Sequence, residues 1–447
     1  MVKTKTLSTK NTIRIYKYSF LALIAYLLFF IPNITIAKYY WDDFTISISL
    51  PSLKNYYDFD YFDISWNFFL YFFGLGRFYG LYLTHYLVFY FTDNPLQYQF
   101  VKAVFNLIPL CLFAHIINLL TKNKNNSWFF IFVMPITFFS IIYIDSLTTQ
   151  GLSIQISAIY LALSTIFFIK TKESPKIKYK ILSYFFFFMS FFHYEIGLMS
   201  VFLNSIIALK YKNYFDKKTQ QDTGFFNKIY GFDYLKSMIL VNLKELKYYN
   251  LMIVIWLLIY FINYKVKTEI YTGINFNFQI SAIFLTWLYQ IICSLPFGAF
   301  DSNFYGIKPD LFQTITGSII FLIFYFLIKK FLKKITINLR DSKILINLGL
   351  SLILIPPLIL SCSKFYQYII LSKPSPNSFT QVYFQYIGVG LIILVFCAKI
   401  IDNSKKFRSA LTTKILINFS AFFLALIITL VHLVNYDTYK KKEFIKL

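Results

Sequence analysis

The apolar residues of this chain fall in continuous runs rather than at the spacing of a single core-facing stripe. Runs of about eighteen residues or more cross roughly 30 Å of hydrocarbon as helices. A helix satisfies its own backbone in lipid, which an open strand does not. The runs are unbroken rather than alternating, so a transmembrane β-barrel is excluded. Only 14% of the residues are charged, against about a quarter in soluble domains. The expected fold is all-α: a polytopic transmembrane helical bundle of about 10–12 membrane helices. It is read as one membrane-embedded domain over residues 1–447.

Charge supplies the topology. The chain carries 44 basic and 20 acidic residues, a net charge of +24. The excess is concentrated between apolar runs, at 1–18, 121–126, 170–180, 210–248, 329–343 and 399–414, while the remainder is balanced. This is the positive-inside pattern, so those six segments are expected in the cytoplasm and no nucleic-acid partner is implied. The expected location is the cytoplasmic membrane, multi-pass, with a cytoplasmic N-terminus. The run from Ile13 to Ala37 is too long for a signal-peptide core and reads as an uncleaved first helix. Cys111, Cys293, Cys362 and Cys397 lie in or beside apolar runs without close pairing, so neither a zinc site nor a disulfide framework is indicated.

Between the spans, three segments bear on the outer side. Residues 38–98 form a long first outer loop, whose apolar part, Ile64 to Phe91, is expected as interfacial helices. The stretch around Ile280–Phe297 is expected as an interfacial or re-entrant helix. The run from Ile181 to Leu209 has lysines on both flanks. It predicts a bent helical hairpin with its apex at His193-Tyr194-Glu195-Ile196-Gly197. Further spans are expected near 100–120, 128–144, 249–264, 313–331, 345–363, 381–399 and 414–435, with 210–248 as the largest cytoplasmic loop.

Chemistry-bearing residues are few. Asp42 and Asp43 follow the first helix directly and are wrapped by Tyr39, Tyr40, Trp41 and Phe44. A carboxylate at a partly desolvated interface can act as a general base, and adjacency of two raises the pKa of one. The surrounding rings suit sugar faces and equally suit an interfacial aromatic belt. Arg77 is the only formal charge between Asp63 and Asp93, and on a helix it shares a small, polar face with Gly74, Gly80 and Thr84. A guanidinium there can meet a phosphate by paired hydrogen bonds, or snorkel to headgroups. Glu195 is the only acid or base other than His193 between Lys180 and Lys210. An intramembrane carboxylate marks function by default, and His193 and Tyr194 are its potential partners. No metal-ligand spacing, nucleotide-binding glycine loop or serine nucleophile motif occurs.

Taken together, Asp42-Asp43, Gly76-Arg77 and Tyr194-Glu195 resemble the class C (GT-C) integral-membrane glycosyltransferases. Within that class they look most like the bacterial glucosyltransferases that modify O-antigen. Those proteins have an acidic pair after the first helix, a Gly-Arg in the first outer loop and a Tyr-Glu in a later helix. The likeness covers residues 15–210 in pattern and the rest in topology alone. It implies a polyprenyl-phosphate-linked sugar donor and a glycan or glycolipid acceptor. Asp42 or Asp43 would be the catalytic base. Arg77, Tyr40, Trp41, His193, Tyr194 and Glu195 would contact substrate. No cofactor is required; a divalent cation on the acidic pair is compatible, and the metal requirement stays open. The alternatives are a lipid-linked oligosaccharide flippase and an outer-face polysaccharide polymerase. Transporters of the first kind often show repeated halves, and none is visible here. Polymerases usually place arginines and histidines in a late outer loop, whereas Lys364 to Thr380 has neither.

Overall fold

The computed structural model describes residues 9–36, 61–75, 80, 84, 88–89, 92, 94–138, 152–212, 232–266, 276–295, 309–372, 382–407 and 410–442. The first half comprises α1 (Thr9–Phe29), α2 (Ile31–Thr35), α3 (Tyr61–Gly74), α4 (Pro95–Thr121), α5 (Lys124–Val133), α6 (Ser153–Glu173), α7 (Ile177–His193) and α8 (Ser200–Tyr211). The second half comprises α9 (Phe232–Glu245), α10 (Lys247–Val266), α11 (Ile280–Ser294), α12 (Leu311–Leu332), α13 (Leu339–Ser361), α14 (Lys364–Ser372), α15 (Val382–Phe407) and α16 (Ala410–Lys442). Short 3-10 turns occupy Met134–Thr137 and Glu195–Met199. Among the described residues the only β contact is an isolated bridge between Phe276 and Ser363. The protein is an all-α polytopic membrane bundle. Among the described residues seven helices, α4, α6, α10, α12, α13, α15 and α16, are long and apolar enough to span, and shorter apolar stretches occur at Lys17–Phe29 and Ile280–Ser294.

Helix ends follow local chemistry. Asn94 caps α4, its side chain accepting from the Gln97 amide at 2.9 Å with Pro95 in the first turn. Lys122 closes that helix in the left-handed region, at φ 53°. Asp310 and Gln313 form a reciprocal capping box on α12, each bond 2.8 Å, satisfying two otherwise orphaned donors. Asn338 caps α13 by accepting from the Asp341 amide at 2.7 Å. Prolines mark changes within two expected spans. The first helix stops at Phe29, and α2 restarts around Pro32. In the expected 128–144 span the α-helix gives way to a 3-10 turn containing Pro135, and residues 139–144 lie outside the described residues.

Packing rests on close helix crossings. Gly349 of α13 and Gly388 of α15 meet backbone to backbone. A Cβ on Gly388 would lie 2.5 Å from the Gly349 carbonyl oxygen, and the reverse addition gives 2.8 Å. Small residues at such crossings let dispersion drive association where no hydrophobic effect operates between helices. Pro357 of α13 lacks the amide that would bond the Ile353 carbonyl. Gln385 of α15 supplies the missing donor at 3.1 Å.

One end of the bundle collects the lysine-rich segments. Lys122 pairs with Glu173 at 2.6 Å, Lys172 with Glu245 at 2.7 Å, Lys212 with Glu245 at 3.0 Å and Lys210 with Asp341 at 3.5 Å. Asn126 donates to the Thr336 carbonyl, and Lys330 lies over the Tyr18 ring. Basic segments distant in sequence therefore share one face, as their charge pattern anticipates.

The hairpin over residues 177–211 takes the expected form. Both legs start and finish at the lysine end, and the chain turns at Tyr194–Met199. The stretch around 280–297 resolves in favour of a re-entrant helix. The Asn277 amide donates to the Cys362 carbonyl at the far end of α13, and Trp287 Nε1 donates to Leu354, deeper along it. So α11 runs into the bundle antiparallel to α13. By Leu311 the chain is back at the far end, where Phe312 meets Tyr436 of α16. In the first outer loop α3 buries Ile64, Ser65 and Phe69 and exposes an aromatic, apolar face of Phe62, Trp66, Leu70 and Tyr71.

Candidate functional site

The end opposite the lysines carries the chemistry-bearing residues that lie within the described parts. Its centre is the hairpin apex. Tyr194 is extended, and its amide donates to the Ser190 carbonyl at 3.2 Å. The Gly197 amide returns to the Tyr194 carbonyl at 2.8 Å. Ser190 Oγ bonds Ser200 Oγ at 2.9 Å, and Ser200 also donates to the Gly197 carbonyl. A Cβ on Gly197 would fall 2.2 Å from the Ser190 carbonyl, so this turn admits only glycine. The turn leaves Glu195 half-buried, at the first position of the 3-10 helix, while Tyr194 packs into the main core at 4% exposure.

His193 is enclosed at the end of α7. Its Nε2 lies 3.0 Å from the Ser153 carbonyl at the start of α6. A carbonyl only accepts, so Nε2 carries the proton. Thr84 Oγ1 also stands 3.1 Å from Nε2 and 3.5 Å from Nδ1, and the Gly80 backbone hydrogen-bonds the ring as well. Tyr160 meets the imidazole edge-on at 5.8 Å. His193 thus ties three segments together and is fully committed to protein groups.

The first outer loop reaches the same place. The Gly80 amide donates to the Phe192 carbonyl at 2.7 Å. The Phe192 ring fills the space where a Gly80 Cβ would stand, 2.6 Å away. Gly80, three residues past Arg77 in sequence, abuts the end of α7 just before Tyr194 and Glu195. Tyr40, Trp41, Asp42, Asp43 and Arg77 themselves lie outside the described residues. The last described residue before the acidic pair, Ile36, follows α2, which packs on α4 and α16 at this end.

A buried polar seam runs inward from His193 and was not anticipated from the sequence. On α4, Tyr98, Gln99, Lys102 and Asn106 fall on one face at three- and four-residue spacing, all with at most 1% exposure. Gln155 of α6 donates to Asn106 Oδ1 at 2.7 Å, and Tyr383 of α15 donates to the Asn106 carbonyl at 2.7 Å. Lys102 Nζ sits 5.9 Å from the Tyr98 ring, which stacks on Phe89 at 4.9 Å. Ser153, which accepts from His193, lies two residues before Gln155. A fully buried lysine inside an apolar span marks function by default. The periodicity of these four polar residues was the available signal.

Ion pairing at the lysine end has an electrostatic consequence. Hydrogen bonds from Lys172 and then Lys212 hold the Glu245 carboxyl below its usual range. Among the described residues, no group of three His, Cys, Asp or Glu side chains is placed to hold a metal ion. No protein-family model matches the chain, and no curated protein or solved structure is significantly similar to it.

Proposed function

We propose that the chain is a membrane glycosyltransferase. It moves a sugar from a polyprenyl-phosphate donor to a glycan or glycolipid acceptor on the outer face of the cytoplasmic membrane. One observation carries the reading: the junction of Gly80 and Thr84 with Phe192 and His193. Thr84 and His193 are 109 residues apart in sequence, yet this junction holds residues that closely follow Gly76-Arg77 in sequence against the end of the helix that precedes Tyr194-Glu195. Those are two of the three elements on which the resemblance rests. The third, Asp42-Asp43, follows a helix pair that ends on the same side of the bundle. Under this reading the lysine end faces the cytoplasm.

The chemistry follows from the residue types. A carboxylate of Asp42 or Asp43 takes the proton of an acceptor hydroxyl. The hydroxyl oxygen bonds to the anomeric carbon from the face opposite the leaving group. The bond from that carbon to the phosphate oxygen breaks, and its electron pair leaves with the polyprenyl phosphate, inverting the configuration. Arg77 offsets the charge gathered on that phosphate, an electrostatic role that commonly dominates rate enhancement. Tyr40 and Trp41 supply faces for sugar stacking, and Glu195 accepts from a substrate hydroxyl. Lys102 is buried in the span behind the same end.

Mass spectrometry of surface glycans from cells with and without the protein tests this. The expected difference is the mass of one sugar residue. Identical glycans in both would overturn the reading and favour a flippase.

A further inference from the structure

The lysine end contains a cavity of about 570 Å³ between the α6–α7 connection and the α9–α10 junction. Its walls carry Lys176, Lys180, Lys244 and Lys247, with Tyr184 and Tyr248. Glu245 also lines it, but that carboxylate is already taken by Lys172 and Lys212. The four wall lysines are exposed and make no ion pair among the described residues. Lys180 lies 5.4 Å from the Tyr248 ring centre and 5.9 Å from that of Tyr184, while Lys247 lies 5.0 Å from Tyr248. The two tyrosines therefore hold ammonium groups around one space without neutralising them.

Four unneutralised cations around a cavity call for an anion. The rim tells which kind. Ile181 and Phe185 of α7, past Lys180 along the helix, are exposed at 58% and 52%, and Ile177 on the cavity wall at 70%. On the other side α9 exposes Ile239, Leu240 and Leu243. Apolar rims beneath a basic, tyrosine-lined opening match the level at which acyl chains give way to headgroups. A soluble anion would have no use for those rims.

We propose that this cavity binds the phosphate headgroup of an anionic phospholipid, whose acyl chains lie against the exposed faces of α7 and α9. The site is separate from the end bearing Glu195, so it stands whether or not the chain is a glycosyltransferase. Phosphate oxygens meet Lys180 and Lys247, and Lys176 and Lys244 complete the field. The bound lipid bridges the α6–α7 hairpin to α9 and α10, whose only acid in the cavity is already paired.

The test reconstitutes the full chain into nanodiscs of mixed phosphatidylcholine and phosphatidylglycerol and reads retained lipid by native mass spectrometry. The wild type is expected to retain phosphatidylglycerol selectively. Lys180→Gln with Lys247→Gln should lower that retention about tenfold or more, given the usual worth of juxtamembrane lysines. Lys124→Gln with Lys333→Gln removes the same charge at the same end outside the cavity and should leave retention unchanged. Lys180→Arg with Lys247→Arg should preserve it. If the double glutamine variant is not monodisperse, the singly substituted Lys176→Gln and Lys244→Gln proteins replace it, each expected to lose retention severalfold. Equal losses in the cavity and control pairs would overturn the proposal in favour of diffuse surface charge. Displacement of lipid by millimolar inorganic phosphate would overturn it in favour of a soluble-anion site. Equal retention of the two lipids by the wild type would overturn it outright.

Discussion

Thr84 Oγ1 and His193 Nε2 stand 3.1 Å apart, fastening the first outer loop to the apex of the α7–α8 hairpin. His193 is enclosed, and its imidazole is shared among this hydroxyl, the Ser153 carbonyl and the Gly80 backbone. Thr84→Val removes the hydroxyl while nearly keeping the shape. The expected cost is about 1–3 kcal/mol, the usual penalty for unsatisfying one buried polar partner. Thr84→Ser should restore most of it. Thermal unfolding of the detergent-solubilised protein measures both, and equal melting of the valine and serine variants would remove the hydroxyl from the account.

Crossing of α13 and α15 makes a second, purely structural prediction. Gly388→Ala places a methyl against the Gly349 carbonyl, a backbone atom that cannot step aside. Overpacking of this kind costs about 1–3 kcal/mol. The variant should show reduced monodisperse yield by size-exclusion chromatography. Wild-type yield and melting temperature together would show that the two helices can separate without loss.

Glu245 gives a pH-dependent prediction with a definite sign. Its folded-state pKa is depressed from 4.5 by Lys172 and Lys212. The stabilisation is therefore complete above the ordinary carboxylate value and is lost as pH falls through the lower folded value. Glu245→Gln should be less stable than the wild type at neutral pH. The two should converge in acid below that window. The pair is solvent-accessible, so the neutral-pH difference should be about 1 kcal/mol or less. A gap that persists unchanged in strong acid would assign the effect to packing.

Much of this architecture is legible before any coordinates. Lysines on both flanks of residues 181–209 require an even number of crossings, and the run is too short for two full spans. A bent hairpin with its apex at His193–Gly197 is the remaining solution, and the chain turns at Tyr194–Met199. The placement of 280–294 was legible only as a pair of options, because an apolar helix fits an interface and a re-entrant dip equally. The contact of Trp287 with Leu354 chooses the dip. Pro32 marks a break in the first expected span, since a proline near a helix start is locally compatible with a break or with a continuous helix. Lys102 escaped notice for a different reason. It lies near the start of its span, where a lysine ordinarily snorkels. Only its shared face with Tyr98, Gln99 and Asn106, and the α6 and α15 groups that cover them, makes it interior. Arg77 and the aromatic residues around Asp42 lie outside the described parts, so their roles rest on sequence alone.

Lys102 and Arg77 carry the phosphate side of the proposed reaction. Arg77→Lys keeps charge but loses paired geometry, and Arg77→Ala loses both. Transfer should fall substantially in the first and further in the second, with protein still in the membrane. Lys102→Met should also lower transfer, and Lys102→Arg should recover part of it if charge is what matters. Full transfer in the methionine and alanine variants would return both residues to structural roles.

Asp42 and Asp43 decide the functional reading. Asp42→Asn and Asp43→Asn each remove a negative charge while nearly preserving shape. Whichever carboxylate takes the acceptor proton, its variant should lose transfer by roughly a hundredfold or more, the usual worth of a general base. The other should lose less, since it only orients the acceptor or neighbouring charge. Adjacent carboxylates raise the pKa of one of the pair, so removing the non-basic partner should also shift the acidic limb of the pH–rate profile downward. A purely structural aspartate would not move that limb. The assay is release of polyprenyl phosphate from a polyprenyl-phosphate sugar in the presence of membrane acceptors, with protein levels matched. Normal transfer in both variants would remove the base from the mechanism, and with it the glycosyltransferase assignment. A flippase, which needs no base at this position, would then account better for an acidic pair that follows the first helix in sequence.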